Sequence, residues 1–365
     1  MATETFHSRA FRSGDELAIN GLYGDVTGRQ RTLDQYRWQW LDGPSGAGDI
    51  WLIEAADENG APKLIGHHGI MPVRFTRGET DLLFGKTENT LVRPEYRQKL
   101  LYVRYEKRFA EQYQGRYHAL FSTTGPKAAI RLRSALGYSF PASWETFYVG
   151  TSWHSSLNLA LHGAMRVRGS RVKSTSPGNW AATHRTDKLL ESGEARNSPF
   201  FESFWSNARY NHSVAPRRDR EDLDWRFWHN PYKPHLTFIH DVEGPDRGYA
   251  ILSQHSDFPH AAFVEDIVSA NPTSAAFGSL LDALTECCHR AGIEWLVFMT
   301  TDDGRGETNF ASLLRRREMR VSALQKAWRP AEKRQMPRRV TDLGASEGIS
   351  GEPWHVSMIV GEGRS

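Results

Sequence analysis

Apolar positions recur along this chain with two different periods, and their order predicts the elements. After Gly14-Asp15, the residues Leu17, Ile19, Leu22 and Tyr23 fit one helix, and a second, short helix runs from Leu33 to Leu41. Strand-like segments follow at Ile50 to Ala55, at Lys63 to Phe75 with a break near Pro72, and at Asp81 to Val92, the first two separated by a turn at Asp57 to Gly60. Arg97 to Tyr113 returns to helical spacing through Leu101, Tyr105, Phe109 and Tyr113. Tyr117 to Thr123 reads as a buried strand, and Pro126 to Leu136 as a helix that Gly137 stops.

The same order then returns. Trp38, Trp40 and Pro44 have the spacing of Trp225, Phe227 and Pro231, and Lys63 to Gly66 resembles Asp246 to Tyr249. Glu88-Asn89-Thr90 is echoed by Glu265-Asp266-Ile267, each ahead of a proline, and Leu120 to Thr124 by Val297 to Thr301. The second run predicts a helix at 199–209, a Trp-rich segment at 222–229, strands at 235–241, 247–255 and 260–269, a helix at 273–291, a strand at 294–300 and a helix at 307–317. The organisation expected is an N-terminal domain over 1–150, a basic linker with a helix over 151–198, loosest at Ser174 to Asn179, and a C-terminal domain over 199–365. Each domain belongs to the mixed α/β (α+β) class.

The motifs Gly66-His67-His68-Gly69-Ile70-Met71-Pro72, Leu91-Val92-Arg93-Pro94-Glu95-Tyr96-Arg97 and Ala135-Leu136-Gly137-Tyr138 give the first run its character. With the order of elements, this run resembles a GCN5-related N-acetyltransferase (GNAT) domain over residues 5–148. The second run resembles the same fold more weakly, so the chain is similar to tandem GNAT acyltransferases. The resemblance implies, for each domain, a mixed, mostly antiparallel sheet flanked by helices, and acetyl-CoA or another acyl-CoA as co-substrate. A strand that ends at Val92 before a helix near Arg97 leaves backbone N–H groups facing outward, where the helix dipole also favours anions. By the resemblance the CoA diphosphate takes that site, formed by Arg97, Gln98, Lys99, Leu100, Leu101 and Tyr102, and the strand edge at Leu91 and Val92 holds the pantetheine arm. Leu100 and Tyr102 stand where the family has small residues, and Arg97 and Lys99 offer charge in compensation. In the second run the loop is Thr273 to Ser279, with Gly278 present but Ala275 at the arginine position, so that run is read as degenerate and non-catalytic.

Acyl transfer to an amine needs a base for the amine proton, a polarised carbonyl and a proton for the departing thiolate. Glu88, on the strand of Val92 and four residues before it, is expected on the same side and is the first candidate for the base. The family's usual tyrosine acid is replaced by Arg133, which leaves Tyr138, Tyr102 or water. His67 and His68 are consecutive on a strand, point to opposite faces and cannot both ligate one ion. They read as satisfied core histidines, with one of them facing the acceptor as the alternative. No metal is expected.

Composition adds three points. Twelve Trp, 12 Tyr and 18 Phe give the chain much of its burial, and the duplicated Trp segment accounts for part of that excess. The 46 Lys and Arg against 43 Asp and Glu, net +3, do not argue for nucleic acid, although basic residues cluster at 166–173, 315–320 and 329–339 and read as solvated faces or linker. The polar N-terminus, the lack of a long apolar run and the two adjacent cysteines, Cys287 and Cys288, predict a cytoplasmic protein without a membrane partner. The function expected is acyl-CoA-dependent N-acylation of a small-molecule amine. The alternatives are an aminoacyl-tRNA-dependent transferase of the peptidoglycan-bridge type, and a catalytically degraded GNAT-fold binding protein.

Overall fold

The computed structural model describes residues 6–57, 60–99, 101–113, 115–123, 127–152, 155, 177–254, 260–302, 310–317, 334–351 and 354. The chain divides into two compact units. Unit 1 takes Met1–Phe75, Asp81–Phe140 and Pro337–Glu352, and unit 2 takes Thr76–Thr80, Pro141–Met336 and Pro353–Ser365.

Unit 1 begins with β1 (Phe6–Ala10), α1 (Glu16–Thr27), α2 (Leu33–Trp40), β2 (Asp49–Ala56), β3 (Pro62–Arg77) and β4 (Thr80–Val92). A 3₁₀ turn (Pro94–Lys99), α3 (Leu101–Gln112), β5 (Ala119–Phe121) and α4 (Lys127–Ala135) follow. The principal elements of unit 2 are β6 (Ser139–Gly150), α5 (Pro177–His184), β7 (Leu189–Glu191), α6 (Phe200–Ala208), β8 (His235–His240), β9 (Gly248–Gln254) and β10 (Ala261–Ser269). It continues with α7 (Ser274–Arg290), β11 (Trp295–Asp302) and α8 (Phe310–Arg317), after which β12 (Arg334–Val340) leads back into unit 1.

Within unit 1 the strands lie in the order β1-β2-β3-β4-β5-β12. β1, β2 and β3 pair antiparallel, β4 and β5 pair parallel from Phe84 opposite Ala119 to Lys86 opposite Phe121, and β12 closes antiparallel with Arg338 opposite Phe121. Within unit 2 the order is β7-β8-β9-β10-β11-β6, again with one parallel pair, β10 and β11, and antiparallel neighbours otherwise. Each parallel pair is joined through a helix, α3 in one unit and α7 in the other, as a parallel connection requires. Both sheets are thus mixed, mostly antiparallel and flanked by helices. In each, the strand beyond the parallel pair comes from the other stretch of chain: β6 follows α4 in sequence but from Pro141 belongs to unit 2, and β12 follows α8 but from Pro337 belongs to unit 1. The units therefore do not divide at residues 150 and 199.

Local chemistry explains most of the elements. Thr32 caps α2 in a reciprocal box with Gln35, and Gly28 ends α1 at φ 70°. Gly137, at φ 81°, ends α4 as expected. Gly69 allows Trp40 to lie against β3, since a Cβ there would come within 2.3 Å of the indole. Trp40 is buried, and so is Trp228, whose Nε1 donates to Thr237 Oγ1 at 3.2 Å.

Three expectations are corrected. β3 runs unbroken through Pro72, because pairing with β2 stops at Ile70 and no β2 partner needs its missing N–H. The helix expected from Arg97 begins at Leu101, after the 3₁₀ turn. The basic run at 329–339 contains a strand in which Met336 and Arg338 are buried, with Arg338 Nη2 donating to Ser350 O at 3.1 Å. The run at 166–173 lies outside the described residues.

Candidate active site

β4 carries the local feature on which the site depends. Asn89, at φ 49°, is the one non-glycine residue with positive φ among the described residues. A left-handed residue inside a strand interrupts the alternation of side chains, so the positions after it change face. Glu88 faces α2, Thr90 bonds a side chain that reaches α3, and Leu91 packs with Leu22 and Tyr23 of α1. Glu88 and Leu91 therefore share the α1–α2 side although three residues apart, so the unbroken alternation on which the expected match of Glu88 and Val92 rested does not hold.

On the α1–α2 side the Glu88 carboxylate lies 2.6 Å from the Lys86 ammonium, with both side chains at most 2% exposed. Gln39 Nε2 donates to its other oxygen at 3.1 Å, and Arg31 donates in turn to Gln39 Oε1. Arg31 also donates to Asn20 and stacks on the Tyr23 and Tyr36 rings. His67 belongs to this side, edge-on to Trp40, and donates from Nδ1 to the Asn89 carbonyl at 2.8 Å.

The α3–α4 side is different in kind. His68 Nδ1 lies 2.7 Å from Thr90 Oγ1, and His68 Nε2 lies 2.7 Å from Glu106 Oε2 on α3. Tyr138 OH donates to the second Glu106 oxygen at 3.0 Å. Arg133 of α4 has Nε 3.7 Å from that same oxygen and donates from Nη2 to Thr87 at 3.0 Å, while Thr87 donates to Phe121 O. His68 and Glu106 are 4% and 1% exposed, and Thr90, half-buried, is the open end of the chain of contacts. Burial alone would raise the Glu106 carboxyl; His68, then Arg133 and the Tyr138 hydroxyl outweigh it and hold the group at about 2. An ionised carboxylate only accepts, so His68 donates from Nε2 to Glu106, and its Nδ1 shares the other hydrogen bond with the Thr90 hydroxyl.

At the end of β4, Val92 is half-buried and its carbonyl accepts from Arg97 Nε at 3.2 Å. Arg97 is exposed, in the 3₁₀ turn that also holds Gln98 and Lys99, whose side chains lie outside the described ones. Leu100 lies outside the described residues, as does the side chain of Tyr102. Leu101 is buried with Ile53, Ala55 and Ile65, so its side chain serves the core. The sequence candidates thus separate: Leu91, Val92 and Arg97 gather at the strand end, Tyr138 joins the α3–α4 network, and Glu88 sits on the opposite face. The residues that sequence reasoning missed are Glu106 and Thr90. A carboxylate following Tyr105 on the buried stripe of α3 was the available signal.

In unit 2 the corresponding helix start is closed differently. Thr273 caps α7 by accepting from Ala276 N, and Arg317 of α8, paired with Asp282, comes beside Gly278. The sheet face under α7 is apolar, with Ala250, Leu252, Ile267, Leu280 and Leu284 in one core. The aligned Glu265 is buried with Lys233 and Ser253 and sits where the β9–β10 register slips, as Glu88 sits beside Asn89. Among the described residues no group of three or more His, Cys, Asp or Glu could hold a metal ion, and no helix is long and apolar enough to cross a membrane.

No protein-family model and no curated protein sequence matches the chain. Solved structures do. A conserved protein of Enterococcus faecalis V583 described as a probable N-acyltransferase matches with a TM-score of 0.59 and 12% identity, over 93% of this chain and 74% of that one. A GCN5-related N-acetyltransferase from Kribbella flavida matches at 0.56 and 11%, over 96% and 74%. Eis1 from Mycobacterium abscessus matches at 0.53 and 12%, over 94% and 75%. At these identities the likeness establishes the fold, which is that of the GCN5-related N-acetyltransferases.

Proposed function

We propose that the chain is a tandem GNAT acyltransferase that moves an acetyl or longer acyl group from acyl-CoA to the amine of a small molecule, with the chemistry in unit 1. The observation that carries this reading is the sealed ionic layer of His68, Glu106, Arg133 and Tyr138 beside β4, which unit 2 replaces with an apolar core. Buried charges are costly and concentrate where chemistry uses them. The thioester arm would follow Leu91 and Val92, with its carbonyl polarised by a backbone N–H near Val92, and the diphosphate would meet the turn from Arg97 to Tyr102. Glu88 and Tyr138 are the base and acid that the sequence offered, and Tyr138 is engaged by Glu106. Glu88 is engaged by Lys86, which weakens it as a proton acceptor. Two buried free cysteines suit a reducing cytoplasm. The tRNA-dependent alternative gains little, because Arg315 and Arg317 are paired with Glu145 and Asp282 and Arg338 is buried.

The test is thermal unfolding with acetyl-CoA and longer acyl-CoAs. A ligand at a hundred times its Kd stabilises by about 2.7 kcal/mol, and the melting temperature should rise accordingly. Arg97→Ala should reduce the rise. No shift with any acyl-CoA, in wild type and variant alike, would rule the reading out.

A further inference from the structure

We infer that Thr90, His68 and Glu106 form a relay that takes the proton from the attacking amine, so that the base is on the α3–α4 side of β4 rather than at Glu88. This rests on the acyltransferase reading above. Three features support it. The contacts are short and in series, 2.7 Å from Thr90 Oγ1 to His68 Nδ1 and 2.7 Å from His68 Nε2 to Glu106 Oε2, the hydroxyl–imidazole–carboxylate order in which a carboxylate orients a ring and the ring draws a proton from a hydroxyl. Among the described members of the network His68, Glu106, Arg133, Tyr138 and Thr87 are buried and Thr90 is half-buried, which makes Thr90 the place where a proton enters or leaves. Thr90 also directly precedes Leu91 and Val92, and the left-handed Asn89 is what turns its hydroxyl to the His68 side.

The step balances without another reagent. The amine nitrogen attacks the thioester carbonyl carbon, a C–N bond forms and the C–S bond breaks. The amine proton passes to Thr90 Oγ1 as the Thr90 proton moves to His68 Nδ1, giving an imidazolium held against the Glu106 carboxylate. The proton returns by the same path to the thiolate, so amine and thioester yield amide and thiol, and the relay is restored. Thr90 is the catalytic residue, and Glu106 is a positioning residue acting through His68.

Thr90→Val removes the hydroxyl at constant volume, and Thr90→Ser restores it. With acetyl-CoA and a set of small amines (an amino sugar, an amino acid and a polyamine), read as release of the CoA thiol, Thr90→Val should lower kcat by about 100-fold or more with KM for acetyl-CoA and the acetyl-CoA thermal shift unchanged, the range expected for loss of general-base catalysis. Thr90→Ser should recover most of the rate, and Glu106→Gln should lower kcat while leaving KM for acetyl-CoA in place. The relay is overturned if Thr90→Val turns over like wild type, or if its loss lies wholly in KM or folding and Thr90→Ser does not rescue it. Failure of the acyltransferase reading looks different, since wild type itself would then show neither turnover nor a thermal shift.

Discussion

The α3–α4 face of the unit 1 sheet and the α7–α8 face of the unit 2 sheet are built on the same order of strands and filled with opposite chemistry. Under α7 and α8, Leu252, Ile267, Leu284, Phe298 and Phe310 form one continuous apolar core. Under α3 and α4, the apolar residues fall into smaller clusters and the space between them holds His68, Glu106, Arg133 and Tyr138. An apolar layer is the cheaper way to join a helix to a sheet, and on this face unit 1 buries charge where unit 2 does not.

The comparison is broken most severely by removing one charge. Glu106→Ala leaves Arg133 and His68 buried without their carboxylate and should cost about 3–5 kcal/mol in denaturant unfolding. The combined His68→Leu, Glu106→Leu and Arg133→Met, which copies the apolar character of unit 2, should be near neutral or stabilising, yet inactive. A triple variant as unstable as the single one would mean that the layer is structural. The second test is acid. Burial, with Lys233 nearby, lowers His235 to about 3, and burial, with Arg218 nearby, lowers His212 to about 4. Both remain neutral in the folded chain while the unfolded chain binds protons from pH 6.5 down, so unit 2 loses their contribution as pH falls toward 4 and 3. Glu106, lowered from 4.5 to about 2, contributes fully above pH 4.5 and loses its contribution only below it. Hydrogen exchange should therefore show β8–β10 amides opening at higher pH than those of β2–β4, and the reverse order would contradict these assignments. The smallest effect concerns the helix starts. Thr273→Ala removes the α7 cap and should cost about 1 kcal/mol without changing activity.

Much of the fold was legible because its signals are local. Gly137, at positive φ, terminates its helix, the strand read from Asp81 ends at Val92, and the α7 boundaries follow from Thr273 and the apolar period behind it. Illegible were the features that need a second segment. β6 and β12 pair with strands from distant parts of the chain, and nothing in the Arg-rich run up to Arg339 announces a strand with two buried members. The site was half legible for the same reason. The strand end and Arg97 are a local motif, whereas the left-handed Asn89, which reverses the faces after Glu88, has no signature in the alternation itself. Glu106 and Arg133 lie on different helices, and only the folded sheet brings Glu106 to His68 and Arg133 to Glu106.

The return of β12 to unit 1 sets a schedule for making this protein. On the ribosome, β1 to β5 are complete long before residues 337–352 emerge, so the outer edge of β5 stays unpaired through most of synthesis. When that segment arrives it must dock closely, because Thr341 Oγ1 bonds the Tyr117 and His118 carbonyls and a Cβ on Gly344 would fall within 2.0 Å of the His118 oxygen. Truncation just before residue 337, or a bulky residue at 344, would therefore strand the N-terminal part of the chain half-folded, exposing a sheet edge to neighbouring nascent chains.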